Sequence, residues 1–357
     1  MTLRDQLAAL PIPILQAPMV GASSFEMAAA VSKAGAMGHI AGGAMAPDAI
    51  EAAVAAMRAQ TPGPFGVNLL MAARVTPGAV EVDRALARLA PWYAELGEPV
   101  PAHPNEFAPD FESQLAALGR AAPPVASFTF GILTAAQVEA LHAAGTLVVG
   151  TATSVAEARA WAQVGADGIC AQGFEAGGHR GHFLAEVEAS LVGTMALTAL
   201  VGQAVDLPVI AAGGIMDGRG VAAALALGAC AVQMGTAFLL ADQATVSQPW
   251  RGEIESAGDE PTRLTRAFTG RFARGIENRF MRELRAVEDE VPAYPVQNRL
   301  TQALRAAATK ADQPDMISLW AGQGVGLARP GAAGAMVQAW WREAKEASAA
   351  LQARVSR

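Results

Sequence analysis

Cysteine is scarce: Cys170 and Cys230 are the only two in 357 residues. Each sits in an apolar stretch that reads as a strand, so the pair excludes a disulfide framework and fits buried thiols in a reducing compartment. Basic charge is also short. With 26 Lys and Arg against 33 Asp and Glu, the formal net charge is -7, which argues against the clustered cations that nucleic-acid binding requires. An uninterrupted apolar leader is missing too, because Met1 to Gln16 carries Arg4 and Asp5 and is broken by Pro11 and Pro13, unlike a secretory signal. A cytoplasmic location is the expectation. Val221 to Ala241 has no charge and is long enough to span a bilayer, but Gly228, Gln233, Gly235 and Thr236 interrupt it. Those residues read better as a helix end, a buried strand and a turn, so no membrane partner is expected. Zinc-site spacing, a Walker loop and a Gly-x-Ser-x-Gly elbow are all absent.

What is present is a repeated unit: an Ala-rich helical segment ends at Gly, a small residue follows, and a short apolar run then stops at polar or glycine residues. It occurs at Ala34-Gly35-Ala36, Ala144-Gly145-Thr146, Val164-Gly165-Ala166 and Leu227-Gly228-Ala229. Glycine just past a helix takes the left-handed conformation that turns the chain into the next strand. Apolar runs at Ile12 to Ala17, Phe65 to Leu69, Val125 to Phe130 and Val209 to Ala212 bring the candidate strands to eight. They are short, do not alternate, and are separated by helical patterns at Phe25 to Lys33, Pro47 to Ala59, Thr134 to Ala143, Ser154 to Gln163, Gly193 to Val205 and Gly218 to Leu227. Strands buried on both faces of a parallel sheet have this appearance. Eight such units predict an α/β (β/α)8 TIM barrel over 1–72 and 123–240; a doubly wound open sheet shares the alternation. The Pro-rich 73–122 and the Arg-rich 241–357 are expected to form a mainly helical accessory layer over the strand ends.

Active sites of such barrels are built at the C-terminal ends of the strands. There the chain carries Ala17-Pro18-Met19 after the first strand, Asn68 after the third and Gln172 to Gly181 after the sixth. Gly213-Gly214 follows the seventh and Gln233-Met234-Gly235-Thr236 the eighth. Glycines let backbone N–H groups approach a phosphate, and Thr236 adds a hydroxyl; each pair alone also reads as an ordinary turn. Asn68, Gln172 and Gln233 are amides that suit the polar edge of a flavin ring, or that satisfy loop backbone. In Glu175-Ala176-Gly177-Gly178-His179-Arg180-Gly181, three glycines surround His179, which places an imidazole able to take a proton at the barrel mouth. His182 is expected outside the pocket, and Cys170 reads as an inert core thiol rather than a nucleophile.

Assembled, these residues resemble the nitronate monooxygenases, also called 2-nitropropane dioxygenases. The matching pieces are Gln16 to Met19, Phe65 to Asn68, Val125 to Gly131, Gly173 to Gly181, Ala211 to Ile215, Gln233 to Thr236 and Trp320 to Gly324. The resemblance implies an oxidoreductase that uses flavin mononucleotide (FMN) and O2 on small anionic nitronates such as propionate 3-nitronate, releasing a carbonyl compound and nitrite, as a monomer or homodimer. It makes His179 the catalytic residue. Ala17, Pro18, Met19, Asn68, Gln172, Gly177, Gly178, Gly213, Gly214, Gln233, Met234, Gly235 and Thr236 become flavin contacts. Segment 318–326 would return over the flavin, and Tyr294, Lys310 and Trp320 would lie on the substrate side. Arg180, Lys310 or another C-terminal arginine would supply charge for the anion. The nearest alternative is an FMN-dependent enoyl-acyl-carrier-protein reductase using NADH. A phosphate-binding barrel without redox chemistry and an inosine monophosphate dehydrogenase-like enzyme are further ones, the last lacking its loop cysteine here.

Overall fold

A computed structural model describes residues 2–258 and 262–356. Its strands are β1 (Ile14–Gln16), β2 (Gly38–Ala41), β3 (Phe65–Leu70), β4 (Val125–Thr129), β5 (Leu147–Ala152), β6 (Gly168–Gln172), β7 (Gly178–His179), β8 (Val209–Ala212), β9 (Ala231–Met234), β10 (Thr262–Thr265) and β11 (Ala273–Ile276). All but β7, β10 and β11 form one parallel sheet, in the order β1-β9-β8-β6-β5-β4-β3-β2. The sheet closes on itself. Gln16 N–H donates to the Met37 carbonyl (2.9 Å) and Met37 N–H to the Ile14 carbonyl (3.0 Å), joining β1 to β2. The chain is therefore a (β/α)8 barrel.

Local chemistry explains the alternation. Ser24, Thr134, Ser154 and Asp217 accept backbone N–H bonds at helix starts, satisfying donors that the first turn leaves unpaired. Gly35, Gly145, Gly165 and Gly228, the four unit glycines, have φ of 91°, 85°, 92° and 96°. Inside the barrel, Leu15, Met37, Val125, Val149, Cys170, Ile210 and Ala231 share one apolar cluster with Leu3, Leu7 and Leu10. The helix Leu3–Ala8 thus plugs the N-terminal end, and Leu3 fits because Gly168 has no Cβ, which would lie 2.4 Å from Leu3 Cδ2. With that end filled, the opposite end holds the open space.

Two segments differ from the sequence-based expectation. The helix Phe111–Ala121 lies in the ring around the barrel, its Leu115 and Leu118 clustering with Val54, Val67 and Leu69. The helix Ala79–Glu95 instead joins the C-terminal layer, where Leu89, Trp92 and Tyr93 pack with Phe268, Phe280, Leu300 and Leu304. That layer is mostly helical but contains β10 and β11, which pair antiparallel and continue onto β7 through Ala273 opposite His179. These strands escape an apolar-run reading because each carries a buried or half-buried arginine. Arg274 donates to the Thr262 carbonyl (3.0 Å), and Arg263 donates to Glu288 (3.2 Å). Among the described residues, no helix is long and apolar enough to cross a membrane.

Candidate active site

The open end of the barrel holds one cavity, lined from every side by strand ends and loops. Ala17, Pro18, Met19, Asn68, Gln172, Gly177, Gly178, His179, Gly213, Gly214, Gln233, Gly235, Thr236 and Trp320 all reach it. Met234 does not. Side chains alternate along β9, so Gln233 faces in while Met234 is buried with Ile14, Val232 and Phe238 on the other face. No lysine, arginine or carboxylate is among the lining residues.

Its polar groups divide into spent and free. Gln172 is spent: its carbonyl oxygen accepts from Arg180 Nη1 (3.0 Å) and Gly181 N–H (2.8 Å), and its amide nitrogen donates to the His179 carbonyl (3.0 Å). Asn68 donates to Ser127 Oγ (3.0 Å), leaving its carbonyl oxygen without a protein donor. The Gln233 side chain makes no protein hydrogen bond, nor do the N–H groups of Gly214, Ile215, Gly235 and Thr236. Thr236 Oγ1 accepts from Gly322 N–H (2.9 Å), so its own proton is free to donate. A set of convergent neutral donors without a cation suits a phosphate held by backbone.

The Glu175–Gly181 loop shows why its residue types occur together. Glu175 accepts from the N–H and hydroxyl of Thr194 (both 2.8 Å), fastening the loop to a helix start. A Cβ on Gly177 would lie 2.5 Å from Gly322 N, so the glycine lets the Trp320–Gly324 segment dock. Gly178 has φ 70°. Arg180 is fully buried, and donates to Gly173 (2.7 Å) and Ser190 (2.8 Å) carbonyls. Its charge clamps the loop and faces away from the cavity, contrary to a role in holding substrate. His182 does not line the cavity. Cys170 does, but burial pushes its thiol up to about 12, so it stays protonated.

Around His179 the accessory layer builds an aromatic wall. Phe130, Tyr294 and Trp320 ring centroids stand 5.4, 5.8 and 5.7 Å from the imidazole. Burial, and then the nearby Arg271 and Arg305 guanidiniums, push the His179 pKa down to about 3, so the ring is neutral at physiological pH. Burial also raises Tyr294, which keeps its proton. Lys310 is not part of this wall: it is exposed at the end of the helix Gln302–Lys310. Five residues further along a helix is about 140° of rotation, and the residue turned inward is Arg305, whose Nη2 donates to Asn298 (2.9 Å). Among the described residues, no carboxylate lies within ion-pair distance of Arg271 or Arg305. The sequence pointed to a C-terminal arginine without singling out either, and gave no role to Thr269 or Phe130; the signal available was arginine set among apolar residues in Phe268 to Phe272 and Leu304 to Ala308.

Similarity to known proteins agrees with this geometry. The family model for nitronate monooxygenase matches residues 2–342. The chain belongs to the nitronate monooxygenase family. It is accordingly an oxidoreductase of a flavin-dependent family that oxidises nitronates. A "Probable nitronate monooxygenase" of Staphylococcus aureus (strain Newman) is 39% identical over 324 residues, 90% of this chain and 91% of that protein. The crystal structure of nitroalkane oxidase from Streptomyces ansochromogenes matches with TM-score 0.89 and 40% identity, covering 97% of this chain and 99% of that one. FabK from Thermotoga maritima is also similar, with TM-score 0.76 and 31% identity over 99% of both chains.

Proposed function

We infer that this nitronate monooxygenase family member takes FMN at the barrel mouth and oxidises small alkyl nitronates with O2, yielding a carbonyl compound and nitrite. The observation that carries this reading is the set of unpaired N–H groups at Gly214, Ile215, Gly235 and Thr236, facing one cavity with the free amide of Gln233. Those N–H groups and the Thr236 hydroxyl would hold the phosphate. Gln233 and the Asn68 carbonyl would meet the polar edge of the ring, with Ala17, Pro18, Met19, Gly177, Gly178 and Gly213 along its flanks. When bound, the flavin supplies the redox chemistry that no residue of the wall possesses.

The protein's part is binding and proton control. Arg271 and Arg305, which form no ion pair among the described residues, favour an anion at His179. Tyr294 does not line the cavity and acts by packing its protonated phenol against His179 and Phe130, while Trp320 and Phe130 exclude water. His179 presents a neutral ring, which orients a preformed nitronate and takes the α-proton when the substrate is a neutral nitroalkane. The same two arginines disfavour the imidazolium, so nitronate is the better substrate.

The identity of the flavin released from purified protein, with nitrite release from a nitronate panel, tests the function; colourless protein that takes up no flavin would sink it. His179→Asn should cost about 10² to 10⁴ on neutral nitroalkane and far less on preformed nitronate. Equal losses would remove the proton-accepting role. The likeness to FabK keeps NADH-dependent enoyl reduction as a second reading. Anaerobic mixing decides it: bleaching by NADH favours the reductase, and bleaching by nitronate alone favours oxidation.

A further inference from the structure

Phe130 is the wall residue whose backbone is held in an unusual state. It follows β4 with φ 84°, a left-handed conformation that residues with side chains rarely adopt and that persists only where neighbours enforce it. The Arg271 guanidinium carbon lies 4.3 Å from the ring centroid, and His179 and Tyr294 pack against the ring in T-shaped pairs, each with centroids 5.4 Å apart. Arg271 is itself fixed, donating from Nε to the Arg180 carbonyl (3.1 Å) and from Nη2 to that of His182. Only 9% of Phe130 is exposed, and that part lines the cavity.

We propose that Phe130 is a specificity-determining residue that limits the length of the alkyl group accepted beside His179. An aromatic ring on an ordinary backbone makes room for a longer chain by changing rotamer. This ring has a cation over it, two aromatic partners packed against it in T-shaped pairs and a left-handed backbone behind it, so it stands as a fixed stop. A fixed stop converts chain length directly into a steric penalty, and a single methylene in such a pocket discriminates by about 10- to 200-fold. The proposal rests on the nitronate reading for the nature of the ligand.

The test is a length profile. Preformed nitronates from ethane to hexane are compared on the FMN-loaded protein and on Phe130→Gly and Phe130→Leu. Glycine accepts the positive φ, and leucine retains apolar contact, so the two variants fail for different reasons if either misfolds. The expected result is a rise of at least about tenfold in the kcat/KM ratio of hexane to ethane nitronate, with bound flavin unchanged. Equal loss at every length, or an unchanged ratio, overturns the proposal. Binding of straight-chain carboxylates from acetate to hexanoate, planar anions of similar shape, is followed by calorimetry alongside. It should show the same shift toward longer chains, and an unchanged carboxylate profile also overturns the proposal. Absence of nitrite from the unsubstituted protein would count against the nitronate reading alone, because the carboxylate profile still reports on Phe130.

Discussion

His179 Nε2 lies 2.9 Å from Thr269 Oγ1, and Thr269 in turn donates its single hydroxyl proton to the Arg271 carbonyl at 3.0 Å, which has no other donor. That pairing favours the tautomer in which Thr269 accepts from His179 and the imidazole hydrogen sits on Nε2. The residue that biases the tautomer lies 90 positions away.

Thr269→Val should release that constraint and lower turnover of neutral nitroalkane by roughly five- to tenfold, the worth of one hydrogen bond. Thr269→Ser should restore it. Nitrogen chemical shifts of the His179 ring are the direct measurement, and a hydrogen on Nδ1 in the unsubstituted protein would refute the assignment.

Arg305 and Lys310 share one helix but differ in what they face. Lys310→Ala, at an exposed position, should leave KM for nitronate within about twofold, as surface changes usually do. Arg305→Met removes a guanidinium from behind the wall and should raise KM several-fold, through the loss of its through-space attraction for an anion rather than of a direct contact. It should also raise the pKa of His179, because that cation helps hold it down. A titration of the imidazole in the two variants checks both statements.

Gly177→Ala should damage cofactor retention without touching the flavin's polar edge. Its Cβ would meet Gly322 N at 2.5 Å and the Ala321 carbonyl carbon at 2.6 Å, forcing the Trp320–Gly324 segment off the loop. The expected outcome is flavin occupancy, read from the ratio of visible to ultraviolet absorbance, falling several-fold while the far-ultraviolet dichroism of the barrel persists. Full occupancy would show that the two segments need not touch.

Stability should decline with acid below about pH 6.5. His39, 2% exposed and with Nδ1 unpartnered, is pushed down to about 4, first by burial. His179 lies at about 3 and His182 at about 4. A histidine depressed in the folded state contributes fully above its unfolded value, and that contribution is lost as the unfolded chain binds protons first. For His39 the loss approaches on the order of 3 kcal/mol by pH 4, at about 1.4 kcal/mol per unit. His39→Gln should flatten the decline between pH 6.5 and 4 by about one proton. Denaturant melts at several pH values provide the slope.

The barrel was legible in sequence because each of its signals is local. Helix-closing glycines such as Gly145 and Gly228, caps such as Ser154 and uncharged strand runs act within one turn or one strand, and the phosphate-loop glycines Gly213 to Gly214 directly follow a strand that could be located. Arg180 was misjudged because its position in the loop is local but the carbonyls that claim it are arranged only by the folded turn.

The amino-acid order alone fixed the alternating βα units, and hence the strand ends at which a ligand must enter. Only the tertiary structure decided which charges stand near the cavity, which hydroxyl the His179 ring meets, and which residues pack around Phe130. Those features depend on side chains of the C-terminal layer meeting a loop about ninety residues earlier, and on which way a helix is rotated about its axis. Neither distance nor rotation is encoded in the spacing of nearby residues, so no local pattern carries them.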